Sequence, residues 1–227
     1  MSANRYAEAL HEVHDFLRLR EDNYLRLLRK TQEQLVEFKD RFEYRDAIYR
    51  IYSRADKQIG GAPLKSREKI AEKIVRERTK NSDFKPQDVH DIIGVTVVVY
   101  FESQRDLVAD GLEKIAALEG LRFFDRDLKA ERGYHAVHFK IECTNEPPLI
   151  GLKGEAQVKT LLHDGWAAKT HDMIYKPPIK LSSEIAAHAA ILGDTVQLVE
   201  KQSDIIRRLV EREVNRERAG GKLHSYG

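Results

Sequence analysis

The sequence predicts an α/β (α+β) fold, with a central mixed β-sheet of about five strands flanked by N- and C-terminal helices. Three observations predict it. Apolar residues recur at helical spacing over the first fifty or so positions. The centre, from Ile92 to Lys159, holds short β-branched and alternating runs broken by Gly and Pro. Residues 182–218 return to helical spacing. Helices, a strand-rich centre and helices again describe one core sheet with helical flanks.

The elements follow in order. Leu10, Val13, Phe16, Leu17, Tyr24, Leu27 and Leu28 predict a helix from residue 3 to about 30. Leu35, Phe38, Phe42, Ile48 and Ile51 extend helical spacing from about 31 to 54, and Gly60-Gly61-Ala62-Pro63 stops it. A third helix runs from Ser66, a candidate N-cap, to about Arg78; Lys69 occupies the acid position of the capping box, so the box is incomplete. The apolar run 92–101 has the pattern of a strand covered on both faces. A helix is expected over 103–118, strands over 121–127, 135–143 and 154–159, and a helix over 161–175 ended by Pro177-Pro178. The last helix carries a candidate break at Gly193-Asp194, and the tail from Gly220 has a frayed composition.

Composition narrows the function classes. Of 227 residues, 33% are charged and 41% apolar, with a net charge of only +2, so no global field draws the chain to nucleic acid. The single cysteine, Cys143, excludes an internal disulfide and a Cys-rich zinc site, and a reducing cytoplasm is the expected location. No stretch approaches the roughly 20 apolar residues of a membrane span, so no membrane partner is expected.

The chemistry concentrates between residues 133 and 176. Strand side chains alternate between faces, so Tyr134, Ala136 and His138 share one face, and Glu155, Gln157 and Lys159 share another. A carboxylate, an amide, an ammonium, an imidazole and an aromatic ring brought together in this way suit a nucleotide-handling surface. Lys65, Lys69, Lys73 and Arg76 recur at helical spacing and form one basic stripe, which near a helix N-terminus suits polyphosphate.

Four segments, in order, carry a resemblance to the synthetase domain of the RelA/SpoT family, in its small alarmone synthetase form. They are Lys65-Ser66-Arg67-Glu68-Lys69 through Glu72-Lys73; His90-Asp91 with Gly94; Gly133-Tyr134-His135-Ala136-Val137-His138; and Glu155-Ala156-Gln157-Val158-Lys159-Thr160, followed by Trp166-Ala167, His171 and Tyr175-Lys176. The resemblance covers about half the chain. It implies a nucleotidyltransferase-like synthetase core over 60–178, a helical region over 1–59, and a C-terminal helix and tail over 179–227, forming one compact domain overall.

It further implies pyrophosphate transfer from ATP to the ribose 3′-hydroxyl of GDP or GTP, with Mg²⁺ as cofactor. Asp91 and Glu155 are then the metal pair and catalytic residues, with Glu155 also accepting the hydroxyl proton. Lys65, Lys69, Lys73, Arg76 and Lys159 would bind ATP. Tyr134 would stack on the acceptor base, and His138, Lys129, Arg132 and Gln157 would complete the acceptor site. His171 and Lys176 would brace the wall.

The chain also departs from the family pattern. Pro63 and Thr96 stand where two arginines flank the adenine of ATP, Lys69 and Ala136 where serines are common, and Thr170 where an acid precedes the histidine. These departures keep three donor readings open: ATP held through Arg67, Arg76 or Arg78; a different donor or acceptor; or a weak or inactive nucleotide-binding relative. A second enzymatic reading is a toxin-type synthetase acting on the tRNA 3′ end, with an antitoxin protein as its partner, its outer helices offering Arg18, Arg26, Lys30, Arg207 and Arg212 to RNA phosphates. Acidic residues interleave with the last of these, which suits a homo-oligomer equally. The dipeptides His14-Asp15, His90-Asp91, His163-Asp164 and His171-Asp172 sit in unrelated contexts and do not make a phosphohydrolase.

Overall fold

A computed structural model describes residues 3–57, 61–115, 120–131, 134–170 and 181–219. Two helices open the chain, α1 (Ala3–Arg18) and α2 (Glu21–Asp40). They correct the expected single helix to residue 30 and the restart at 31. The apolar stripe continues across the junction, so periodicity alone hides the break at Leu19-Arg20. Glu21 and Asp22 open α2, where negative charge complements the exposed N–H groups. Thr31, the expected restart, lies inside α2, its hydroxyl donating back to the Leu27 carbonyl at 2.8 Å.

The larger correction is β1 (Ile48–Ser53), a strand where helical spacing extends to residue 54. It pairs antiparallel with β2 (Ile93–Val99), and its register shifts between Ile48 and Arg50. That bulge breaks the two-residue alternation. Ile48, Ile51 and Tyr52 then mimic a helical repeat in sequence while lying in a sheet.

The remaining elements are α3 (Arg67–Glu77), α4 (Glu102–Ile115), β3 (Leu121–Glu131), β4 (Tyr134–Cys143), β5 (Lys153–Thr160), α5 (Leu161–Thr170) and α6 (Ser183–Ala219). Ser66 caps α3 as expected, accepting from the Lys69 backbone N–H at 3.4 Å. α6 runs through Gly193 without the expected break. The expected stretches beyond Ile115 and Thr170 and the tail from residue 220 fall outside the described residues.

The sheet order is β1-β2-β5-β4-β3, with only β2 and β5 parallel. This is the mixed five-stranded sheet the sequence predicts. Val95, Val97, Ala156, Val158, Val137, Phe139 and Ile141 alternate onto one buried face. α2 and α4 pack against the sheet, and α4 approaches α2 so closely that a Cβ on Gly111 would meet the Tyr44 ring at 2.7 Å and the Phe38 ring at 2.9 Å. Glycine is therefore the residue that fits. α1 packs on α3, tied by Arg78 to both oxygens of Glu12 at 3.0 and 2.7 Å. Arg67 reaches Glu21 of α2 at 2.8 Å. α5 follows β5 without a loop, and α6 lies against α4 and α5.

Candidate active site

The opposite face of the sheet is polar because the same alternation that buries valines turns Lys153, Glu155, Gln157 and Lys159 of β5 outward, beside Gly94 and Thr96 of β2. Neighbouring β4 presents Tyr134 and His138 on that face, since His138 pairs with Gln157 across the strands. The side chains close a network. His138 Nδ1 donates to Glu155 Oε1 at 3.1 Å, because a carboxylate can only accept. Gln157 Nε2 donates to the other oxygen, Oε2, at 2.8 Å. The Tyr134 hydroxyl donates to Gln157 Oε1 at 3.2 Å and lies 2.9 Å from His138 Nε2. Burial pushes the Glu155 carboxyl up, but the hydrogen bonds and charge of His138, with Gln157, outweigh it and hold Glu155 below the ordinary value. Glu155 is thus a carboxylate at neutral pH.

Asp91 lies just ahead of β2, whose Gly94 pairs with Glu155, and the two carboxylates are near enough to repel. Lys65 binds one Asp91 oxygen, and Lys73 the other at 2.8 Å. Burial works against ionising Asp91, but the two ammoniums prevail and hold it far below the usual carboxylate range. The Lys65 backbone N–H donates to the Ile92 carbonyl at 2.9 Å, fixing this segment beside the strand start. Of the four expected basic residues, the structure brings Lys65 and Lys73 to the carboxylate. Lys69 is exposed, and Arg76 is largely exposed beside Glu77. Arg67 and Arg78, offered above as alternative ATP contacts, are engaged with Glu21 and Glu12 on the first two helices.

Several site residues carry no signal in the sequence spacing. Arg54, at the end of β1, reaches the Asp91 carbonyl at 3.4 Å and lies 3.7 Å from where a Gly94 Cβ would stand. Its Nε is buried without a hydrogen-bond partner. Lys140 is the cross-strand neighbour of Glu155 and is held by Asp125, whose φ of 55° sits in a bulge of β3. Burial, then Lys140, Lys153 and Lys73, push His90 down to about 4. Lysines and arginine therefore crowd around two carboxylates, a field suited to polyphosphate.

At the other end of the face, Lys159 is almost fully buried, 3.0 Å from Asp164 of α5 and 5.9 Å from the centre of the Tyr134 ring. Asp164 also accepts from Tyr52 and Arg50 of β1, at 2.5 and 2.6 Å. Thr96 hydrogen-bonds the Tyr52 hydroxyl. Lys129 of β3 lies in the row of Ala136 and pairs with Asp127 at the exposed edge. Arg132, His171 and Lys176 fall outside the described residues. Several outer basic residues are matched by acids: Arg26 and Lys30 with Glu146, Arg207 with Asp204 and Glu211, and Arg216 with Glu213.

Asp91 and Glu155 suit Mg²⁺, which takes one or two carboxylates and completes its shell with water and substrate phosphates. Among the described residues, no group of three or more His, Cys, Asp or Glu side chains forms a denser metal cage.

A family model described as "Region found in RelA / SpoT proteins" matches residues 63–180, more than half of the chain. The chain is similar to GTP pyrophosphokinase YwaC of Bacillus subtilis (strain 168), 25% identical over 188 residues that span 75% of this chain and 89% of that one. Its fold is similar to a GTP pyrophosphokinase family protein from Streptococcus pneumoniae (TM-score 0.68, 20% identity, 88% of this chain and 95% of that one). It is also similar to small alarmone synthetase 1 from Bacillus subtilis bound to its product pppGpp (TM-score 0.66, 18% identity, 87% and 97%). The mixed sheet with its helical flanks is the fold of these two solved structures. The chain belongs to the RelA/SpoT family.

Proposed function

We propose that the protein transfers the β,γ-pyrophosphate of ATP to the ribose 3′-hydroxyl of GDP or GTP, forming a (p)ppGpp-type alarmone. The observation that carries this reading is the juxtaposition, on one sheet face, of an ionised Glu155 with Asp91 and its lysines on one side and Tyr134 on the other. The acceptor oxygen attacks the β-phosphorus, the bond from that phosphorus to the α,β-bridging oxygen breaks, and AMP leaves. Glu155 takes the hydroxyl proton. His138 and Gln157 fix its two oxygens so that the accepting lone pair is aimed before substrate arrives. Asp91 and Glu155 would hold Mg²⁺, which when bound neutralises charge gathering on the bridging oxygens.

Donor phosphates have Lys65 and Lys73 as their natural partners, and Lys159 at the far end of the face. Lys69 and Arg76 can join only by moving in from the surface. Arg54 takes over the donor-base contact that Pro63 cannot make, because β1 brings a guanidinium to the edge of Asp91 and Gly94. Thr96 leaves the second face of the base without an arginine, so ATP is held by one guanidinium rather than two. On the acceptor side Tyr134 supplies the stacking ring, and Lys129 and Arg132 the phosphate charges.

The test offers ATP and Mg²⁺ with GDP, GTP or deacylated tRNA in separate reactions and resolves products by anion exchange. AMP equal in amount to a 3′-pyrophosphorylated guanine nucleotide is expected. Modification of tRNA alone would replace this reading with the toxin-type one, and nucleotide binding without AMP release would replace it with a binding module.

A further inference from the structure

We propose that Asp164 is the positioning residue of the transfer site: its buried carboxylate holds the Lys159 ammonium at the Tyr134 ring, and Tyr52 and Arg50 of β1 fix that carboxylate from the other side. The proposal rests on the pyrophosphate-transfer reading for its consequence, but the geometry stands without it. Asp164 and Lys159 are 4% and 3% exposed, so neither charge is relieved by water. An ion pair this deep is kept only with good geometry and full hydrogen bonding. Asp164 has both: Oδ1 takes Lys159 at 3.0 Å and Tyr52 at 2.5 Å, and Oδ2 takes Arg50 at 2.6 Å. Three donors from two strands meet one carboxylate from α5.

The arrangement has a direction. Asp164 takes one of the three Lys159 N–H donors and, with the strand below, orients the others. The ammonium faces Tyr134, the ring read as the acceptor platform, on the face that carries Glu155. The charged and titratable groups around Lys159 are Asp164 and His163 from α5, Arg50 and Tyr52 from β1, Tyr134 from β4 and Glu155 from its own strand. Burial lowers the Lys159 pKa, Asp164 raises it and Arg50 lowers it. Asp164 therefore keeps Lys159 charged as well as placed, and Arg50 opposes it.

This opposition yields a test of two signs. The pH dependence of kcat/KM is measured for wild type, Asp164→Asn and Arg50→Gln, with melting temperatures alongside. Asp164→Asn keeps the shape and removes the charge. Its alkaline limb should move to lower pH by about one unit or more. Arg50→Gln, at a half-exposed site, should move the limb the other way. Lys159→Arg added to Asp164→Asn should remove the acid-ward shift, because arginine does not titrate there.

The same titration is read without turnover from ¹³Cε-labelled lysine by NMR, following the Lys159 signal. This separates the two readings, for a protein that transfers nothing still shows the opposed shifts if Asp164 holds Lys159. A Lys159 pKa unmoved by Asp164→Asn in folded protein, or moved the same way by both variants, overturns the proposal.

Discussion

Glu155 is subject to two opposed demands. Burial favours its neutral form, yet a metal ligand and proton acceptor must be a carboxylate. His138 and Gln157 resolve the conflict by donating to separate oxygens. Glu155→Gln should therefore reduce turnover by about 10²–10⁴-fold, the range of a lost general base, in protein that still unfolds in one cooperative transition. Tyr134→Ala should raise the acceptor KM tenfold to a hundredfold, the equivalent of about 1–3 kcal/mol of lost stacking, while the ATP KM stays within about threefold; equal losses for both nucleotides would remove the stacking role. Arg54→Ala should raise the ATP KM by at least about tenfold, as loss of a cation–π contact of on the order of 1–2 kcal/mol implies, and Pro63→Ala should not. Tyr134, His138, Glu155 and Gln157 were legible in the sequence because two-residue alternation places them on strand faces. Asp91 was legible through the family pattern. Arg54, Arg50, Tyr52 and Asp164 were not, because their placement depends on strand pairing and on the seating of α5, neither of which leaves a spacing in the chain.

At the scale of elements, β2, β4 and β5 were legible because β-branched runs and clean alternation have one natural reading. β1 was not, since a bulge between Ile48 and Arg50 gives its apolar residues a helix-like spacing. The same bulge hides Arg50, Tyr52 and Arg54 from the sequence, because β1 carries them to the site. The seat of α4 on α2 gives an element-scale prediction. Alanine at Gly111 would gain about 1 kcal/mol in helix propensity. Its Cβ, however, would meet the stacked Phe38 and Tyr44 rings, whose centroids are 4.1 Å apart and which have no flexible end to yield. Overpacking of this kind costs roughly 1–3 kcal/mol, so Gly111→Ala should lower the urea midpoint with an unchanged slope.

Across the whole molecule, α6 is joined to the sheet through buried polar groups. His163 stacks on His135 and lies 2.9 Å from the Thr160 hydroxyl, which in turn reaches Glu200 of α6. Burial, followed by the charges of His135 and Arg105, pushes His163 down to about 4. Between about pH 6.5 and 4 the unfolded chain binds a proton at this site that the folded chain refuses, so this contribution to stability falls as pH falls. Relative to His163→Gln, wild type should lose on the order of 2–3 kcal/mol across that window and change little above pH 7, measured by urea denaturation at each pH. A constant difference would mean that His163 is charged in the fold. No described helix is long and apolar enough to cross a membrane.

One sheet face is proposed to join a polyphosphate donor to a ribose hydroxyl. The most direct test is transfer from ATP labelled at the γ-phosphate to GTP and, in parallel, to 3′-deoxy-GTP, with wild type and Glu155→Gln. Label should pass to GTP, fail with the 3′-deoxy acceptor, and pass at least about a hundredfold more slowly in the variant. Label passing equally to both acceptors, or at the wild-type rate without the Glu155 carboxylate, would rule this chemistry out.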